Sequence, residues 1–228
     1  MSPAEAGGKL HPGLPHSLEV VVSAAGLLAT SPFLAIAAAA IRLTSSGPAL
    51  FRQERVGRFG RPFFLLKLRT MKAGDGPQVT ASGDSRVTTV GRFLRKTKLD
   101  ELPQLWNVVR GDMALVGPRP EVPAYVDLSD PDWKRILEAR PGITDPVSLR
   151  LRFEEKLLAS APGDRSEFYR QVMVPFKVRK YLEYQSIRTP WSDLVVLLQT
   201  VFSGLFPGLV PPYKLEDLTS RPVGPIQP

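Results

Sequence analysis

Residues Val20–Ile41 read VVVSAAGLLATSPFLAIAAAAI, a nearly unbroken apolar run in a chain of 228 residues. About 22 such residues make a helix long enough to cross a ~30 Å hydrocarbon core. Ser31-Pro32 sits in the middle of the run. Pro32 has no N–H and crowds the carbonyl four residues back, so the helix is expected to kink there. The Ser31 hydroxyl is placed to bond a carbonyl that hydrocarbon would otherwise leave unsatisfied. A kinked helix either spans the membrane or turns back and leaves both ends on one side, and the residues alone favour neither. Ala37–Ala40 resembles a signal-peptide cleavage site, but Lys9 opposed by Glu5 and Glu19 makes a poor n-region.

Around this run the chain divides into four parts. Residues 1–15 are Gly-, Pro- and Ala-rich without a hydrophobic period and read as a disordered leader. Residues 16–43 are the membrane helix, 44–205 a catalytic domain with interfacial helices, and 206–228 a Pro-rich tail. The length suits one domain with a real core plus membrane-attachment elements. There are no cysteines, which excludes disulfides and thiolate metal sites.

The net charge of +8 is concentrated: between Arg42 and Arg110 there are 14 Lys or Arg against 5 Asp or Glu, which is 14 − 5 = +9. A basic block directly after an apolar run favours lipid headgroups or a phosphorylated substrate over nucleic acid. Arg42, Arg52, Arg55, Arg58 and Arg61 place the C-terminal side of the run in the cytoplasm by the positive-inside rule. The expected site is therefore the cytoplasmic face of the inner membrane.

The remaining pattern predicts an α+β fold dominated by helices. Ala49–Arg52 and Pro62–Leu68, joined by the turn around Gly57 to Gly60, predict a small β-hairpin. Residues 73–85 are Gly-, Ser- and Asp-rich and read as a mobile loop. Helices are predicted over 87–96, 101–110, 131–139, 150–160, 165–184 and 191–205, the last with Leu194, Leu197, Leu198 and Val201 at helical spacing.

The chemistry centres on Thr97-Lys98-Leu99-Asp100-Glu101-Leu102-Pro103-Gln104-Leu105, closed by Val116-Gly117-Pro118-Arg119-Pro120. Two adjacent carboxylates are expected in the first turn of a helix, with Asp100 or Thr97 as its N-cap and Pro103 where a missing N–H does no harm. An arbitrary Asp-Glu pair is usually a cap and a solvated acid. Here Arg92, Arg95, Lys96 and Lys98 precede the pair, and Arg119 stands between two prolines that limit its backbone. The planar guanidinium fork suits phosphate oxygens.

From Gly47 to Pro120 the chain resembles the bacterial monotopic phosphoglycosyl transferases, which start glycan assembly on a polyprenyl phosphate. The matching segments are Gly47-Pro48, Phe51 to Gly57, Lys67 to Met71, Asp84 to Thr88, Gly91 to Thr97, Leu99 to Asn107, Gly111-Asp112-Met113 and Val116 to Pro120. Ser31-Pro32 resembles that family's kink and tips the membrane helix toward a re-entrant reading. The chain departs from the pattern at Asp145-Pro146, where a Gly is expected, and at His16-Ser17 and Glu19, where a basic pair and an Asp are.

The resemblance implies transfer of a sugar 1-phosphate from a nucleotide diphosphate sugar, usually a UDP-sugar, to polyprenyl phosphate with release of UMP. It makes Asp100 the nucleophile and Glu101 a ligand of Mg²⁺. A carboxylate agrees with that role, being ionised at neutral pH without an activating base. Lys67, Arg69, Arg95, Arg119 and Pro120 are the candidate phosphate contacts. Expected partners are a nucleotide sugar, polyprenyl phosphate and membrane lipid, with a homo-oligomer compatible and no nucleic acid. Two rival readings are a metal-dependent glycosyltransferase using Asp130-Pro131-Asp132 and a membrane-tethered basic adaptor without chemistry. The first is better explained as a turn into a helix; the second leaves the carboxylate pair and Pro-Arg-Pro without a purpose.

Overall fold

A computed structural model describes residues 11–72, 84–203, 206 and 208–219. Residues 1–10 of the expected leader, 73–83 of the expected loop, and 207 and 220–228 of the tail lie outside the described residues; the end of the leader is not disordered, since Leu14 N donates to Asp193 Oδ2 at 2.9 Å. What is described is mostly helical with two small sheets, in agreement with the α+β expectation.

Helix α1 covers His16–Thr44, 29 residues or about 43 Å. It continues through Pro32, whose missing N–H deprives Leu28 of its helical donor. Ser31 Oγ donates to that same carbonyl at 2.8 Å, as the sequence suggested. Val21, Val22, Leu28, Phe33 and Ile36 are exposed, so an apolar surface faces away from the protein. By length and composition α1 can cross a membrane.

The hairpin forms as expected, with a longer first strand. Strand β1 (Leu50–Val56) pairs antiparallel with β2 (Pro62–Leu68), from Leu50 opposite Leu68 to Val56 opposite Pro62. Helix α2 (Thr89–Thr97) starts at Thr88, whose side chain accepts from Gly91 N at 2.9 Å. Helix α3 (Gln104–Val109) follows, and its Leu105 packs at Gly26 of α1.

Strands β3 (Ala114–Val116) and β4 (Gly142–Thr144) form a parallel pair that the sequence did not announce. Three residues are too few to show an alternation. Just past β3, Gly117 lies so close to Gly142 that a Cβ on Gly142 would run into the backbone of Gly117. Bare glycines thus let the chain before Pro118-Arg119-Pro120 lie flat on its neighbour.

Helix α4 is Pro131–Ile136. The predicted 150–160 helix is two pieces, α5 (Pro146–Arg150) and α6 (Glu154–Ser160). The predicted 165–184 helix is α7 (Arg165–Phe168), a π turn over Tyr169–Met173, and α8 (Val174–Ile187). Pro175 supplies the reason: without its N–H, the carbonyl four residues back has no α-helical donor. Helices α9 (Pro190–Ser203) and α10 (Leu215–Thr219) complete the described chain.

One core joins the hairpin, β3, α4, α5 and α8 through Val56, Leu65, Val116, Ile136, Val147 and Phe176, all buried. A second, smaller cluster of Ile41, Leu68 and Leu94 has Leu34, Ala37 and Leu99 packed on it. It sits where α1, β2 and α2 meet, one residue from Asp100.

Candidate active site

Helix α2 ends at Lys98, which takes the left-handed conformation at φ 59°. A side chain there costs of order 1 kcal/mol, a strain that recurs at functional positions. The reversal turns Leu99 onto the small cluster and opens a 3-10 turn over Leu99–Glu101. Asp100 is therefore not the N-cap of a helix, nor is Thr97. Pro103 precedes α3 without capping it, and the dyad occupies the joint between two helices.

Asp100 is 6% exposed, and its Oδ1 is buried without a hydrogen-bond partner among the described residues. Burial, with the adjacent Glu101 charge, raises its pKa above the ordinary 3.8; Lys67, Lys98 and Arg95 offset part of this. Glu101 has the opposite surroundings. Its Oε1 accepts from Lys67 Nζ at 3.1 Å and from Arg119 Nη2 at 2.8 Å. Burial alone would raise Glu101, yet Arg119, Lys67 and Lys98 hold it well below the usual carboxylate range. Glu101 in turn raises Arg119, while burial lowers Lys67 despite the carboxylate beside it. Glu101 is held ionised among cations, while its neighbour Asp100 keeps a buried oxygen without a hydrogen-bond partner among the described residues.

Of the residues singled out in the sequence, Lys67, Glu101 and Arg119 are brought together. Arg95 lies at the edge: its Nε donates to Thr70 Oγ1 at 2.9 Å and its Nη1 to Glu155 Oε1 at 2.8 Å. Arg69 lies apart. Its Nη2 donates to the carbonyl and hydroxyl oxygens of Ser45 at 2.9 and 3.0 Å, tying the exit of α1 to β2. Pro120 holds its segment to the hairpin through its carbonyl, which accepts from Arg55 Nη1 at 3.0 Å.

The start of α1 is fixed by residues that no local pattern revealed. Glu19, 3% exposed, accepts from Leu115 N at 2.9 Å and lies 3.2 Å from His16 Nδ1. Fully buried Asp193 accepts from Leu14 N at 2.9 Å, from the Arg188 guanidinium and from the Tyr184 hydroxyl at 2.8 Å. Arg188 also donates to Val116 O at 2.8 Å. The start of α1 is thereby bolted to the strand that leads into Pro118-Arg119-Pro120.

Asp145, at the departure from the resembled pattern, is the N-cap of α5, accepting from Val147 N at 2.7 Å and Ser148 N at 2.9 Å. Asp130 likewise caps α4 by accepting from Asp132 N at 2.8 Å, which accounts for the Asp-x-Asp pattern as a helix start. Among the described residues no cluster of three acidic or histidine side chains could hold a metal. Magnesium needs fewer, because it takes one or two carboxylates and fills its shell with water and substrate phosphates. Glu101 Oε2, to which no donor is bonded among the described residues, fits that requirement.

The sequence model of a family described as bacterial sugar transferase matches residues 13–207. A UDP-glucose:undecaprenyl-phosphate glucose-1-phosphate transferase of Caulobacter vibrioides is 43% identical over 190 residues, covering 81% of this chain and 67% of the relative. An Escherichia coli protein of the same name is 35% identical over 196 residues, 82% of this chain and 39% of the relative. A UDP-N-acetylgalactosamine-undecaprenyl-phosphate N-acetylgalactosaminephosphotransferase of Aeromonas hydrophila is 39% identical over 135 residues, 56% of this chain and 31% of the relative. The chain thus spans about two thirds of the first of these relatives and about a third of the other two. A family match across most of the chain, through both α1 and the dyad, makes this protein a transferase belonging to the bacterial sugar transferase family.

Proposed function

We propose that the protein moves a sugar 1-phosphate from a UDP-sugar to undecaprenyl phosphate by way of a covalent Asp100 intermediate. The observation that carries this reading is the contrast within the dyad. Asp100 keeps a buried, unpartnered oxygen while Glu101 is gripped by Lys67 and Arg119. An unpartnered buried carboxylate costs about 1–3 kcal/mol, a cost expected where the group has chemistry to perform.

In the proposed reaction an Asp100 oxygen attacks the sugar-bearing phosphorus, and the bond to the bridging oxygen breaks. UMP leaves with that oxygen, and Asp100 carries an acyl phosphate. The undecaprenyl phosphate oxygen then attacks the same phosphorus and frees the carboxylate, giving a lipid diphosphate sugar. Arg119 and Lys67 bind the phosphates and neutralise their charge, with Lys98 and Arg95 at the rim. Glu101 orients both cations and would hold Mg²⁺. Bound there, the ion would gather pyrophosphate oxygens and offset developing negative charge.

The acceptor explains α1. A spanning helix carries one end to the far side, but both ends of α1 meet the same domain: Glu19 at Leu115 N, and Ser45 at Arg69. This supports a re-entrant or in-plane helix whose exposed apolar face lies in lipid and sets the dyad at headgroup depth. The basic block after α1 supports a cytoplasmic face. Trp191, Leu194, Leu198 and Val201 of α9 are exposed and suit an interfacial helix.

The test is UMP release from UDP-glucose, UDP-N-acetylgalactosamine and further UDP-sugars, with Mg²⁺ and undecaprenyl phosphate, for wild type and Asp100→Asn. Sugar-dependent release confined to wild type is the expected result. Release that survives Asp100→Asn overturns the mechanism.

A further inference from the structure

Behind the Pro-Arg-Pro segment lies a buried polar unit that the transfer chemistry does not use. Glu121, directly after Pro120, is 5% exposed. The Tyr169 hydroxyl lies 2.8 Å from both of its carboxylate oxygens, and Lys177 Nζ donates to Oε1 at 3.1 Å. Lys177, 3% exposed, also donates to the Tyr169 hydroxyl oxygen at 2.8 Å and to Glu154 Oε1 at 3.1 Å. Three acceptors thus meet the three hydrogens of the ammonium.

A buried ion pair is weak evidence of stabilisation, because apolar residues of the same volume often serve as well. Its use is better sought in what it holds. The main chain here is gripped from the hairpin side: Pro120 O accepts from Arg55 Nη1, and Glu121 O accepts from Val56 N, both at 3.0 Å. The Glu121 side chain is gripped from the helical side by Lys177 and Tyr169. Arg119 stands two residues before this doubly clamped carboxylate and reaches Glu101 at 2.8 Å.

The π turn has a part in this. In an uninterrupted α-helix, residues eight apart would point about 80° away from each other. The wider turn over Tyr169–Met173, closed by Val174 N bonding to Tyr169 O, removes much of that angle. Tyr169 and Lys177 can then face the same carboxylate.

We propose that Lys177, with Tyr169 and Glu121, is the positioning unit that fixes Arg119 for the donor pyrophosphate. The inference rests on the transferase reading above. Lys177 does not touch the reacting atoms; it acts through Arg119.

The test uses the full chain in detergent or nanodiscs and compares wild type, Lys177→Met, Lys177→Arg, Tyr169→Phe, Arg119→Gln and the Lys177→Met/Arg119→Gln double variant. Donor KM and kcat are read from UMP release, and UDP affinity from calorimetry. Lys177→Met should raise KM and the UDP Kd about tenfold with kcat within about twofold, the signature of lost uniform binding. Lys177→Arg should recover much of the loss. In the double variant Lys177→Met should add less than about twofold to Arg119→Gln, because both remove the same contact. Should Lys177→Met not fold, Tyr169→Phe carries the test, with an expected rise in KM of about threefold. Folded variants with wild-type KM overturn the proposal, as does an effect that adds in full to Arg119→Gln. A wild type that neither releases UMP nor binds UDP overturns the transferase reading itself, and this inference with it.

Discussion

Arg119 Nη2 stands 2.8 Å from Glu101 Oε1, so a residue between two prolines closes onto the first turn after α2 from eighteen positions downstream. The same oxygen takes Lys67 from β2. Two separate elements therefore converge on one carboxylate beside the proposed nucleophile.

Removing that nucleophile should stabilise the fold while ending activity. Asp100 carries a buried, unpartnered oxygen, so Asp100→Asn removes a charge that folding must desolvate. The expected gain at pH 7 is about 1 kcal/mol, or a melting temperature higher by about 2–4 °C. Thermal unfolding in detergent reads it. The sign follows from the raised pKa: the folded state binds this proton more tightly than the unfolded one, so the ionised form weighs against folding as pH rises through the folded value.

The same shift sets a pH dependence of the first half-reaction. Attack requires ionised Asp100, so the acid limb of kcat/KM for UMP release should lie above pH 3.8. Lys98→Met removes one of the cations that lower the value, and the limb should move further up. A downward movement would contradict the electrostatic account of the dyad.

Arg119→Lys keeps the charge and loses the fork, so it should not rescue Arg119→Met fully. Loss of a charge-assisted contact of this kind costs about 1.5–3 kcal/mol, or about 10- to 150-fold in kcat/KM for the donor. Glu101 should then lose part of its depression. Its ion pairs contribute stability above the unfolded pKa of about 4.5 that is lost as pH falls through the lower folded value. In Arg119→Met that loss should therefore be smaller and end at a higher pH, with its onset near 4.5 unchanged, which acid titration of the fold detects.

The chain has no cysteine, which makes single-cysteine mapping of α1 clean. Cysteines placed at Ser17 and Ser46, near the two ends of the helix, should both react with a membrane-impermeant maleimide from the cytoplasmic side of inverted vesicles. Labelling of only one of them would mean that α1 spans.

The sequence carried the parts of this site that are contiguous. The dyad, Pro118-Arg119-Pro120, the hairpin and Ser31-Pro32 each depend on neighbours within a few residues, so their chemistry shows in the order of residues. The 3-10 joint was not legible, because nothing in Thr97-Lys98-Leu99 signals that a lysine will take positive φ. Nor was the split of the long C-terminal helix. Pro175, in the middle of the predicted 165–184 helix, was the available signal, since an interior proline interrupts the helical hydrogen bonds. Residues that hold the site from a distance were the least visible. Glu121 and Lys177 are 56 positions apart, and Glu19 meets Leu115 across 96. Their partners are set by packing, which no local spacing encodes. Arg69 illustrates the reverse: a basic residue in a matching segment whose hydrogen bonds go to Ser45 at the end of α1.

The most direct measurement is intact-mass analysis of the enzyme after brief exposure to a UDP-sugar and Mg²⁺ without lipid acceptor. Wild type should gain the mass of one sugar phosphate, mapped to the peptide holding Asp100, and lose it on addition of undecaprenyl phosphate. Asp100→Asn should gain nothing. An adduct mapped to another residue, or lipid-dependent product from Asp100→Asn, would contradict the covalent role of Asp100.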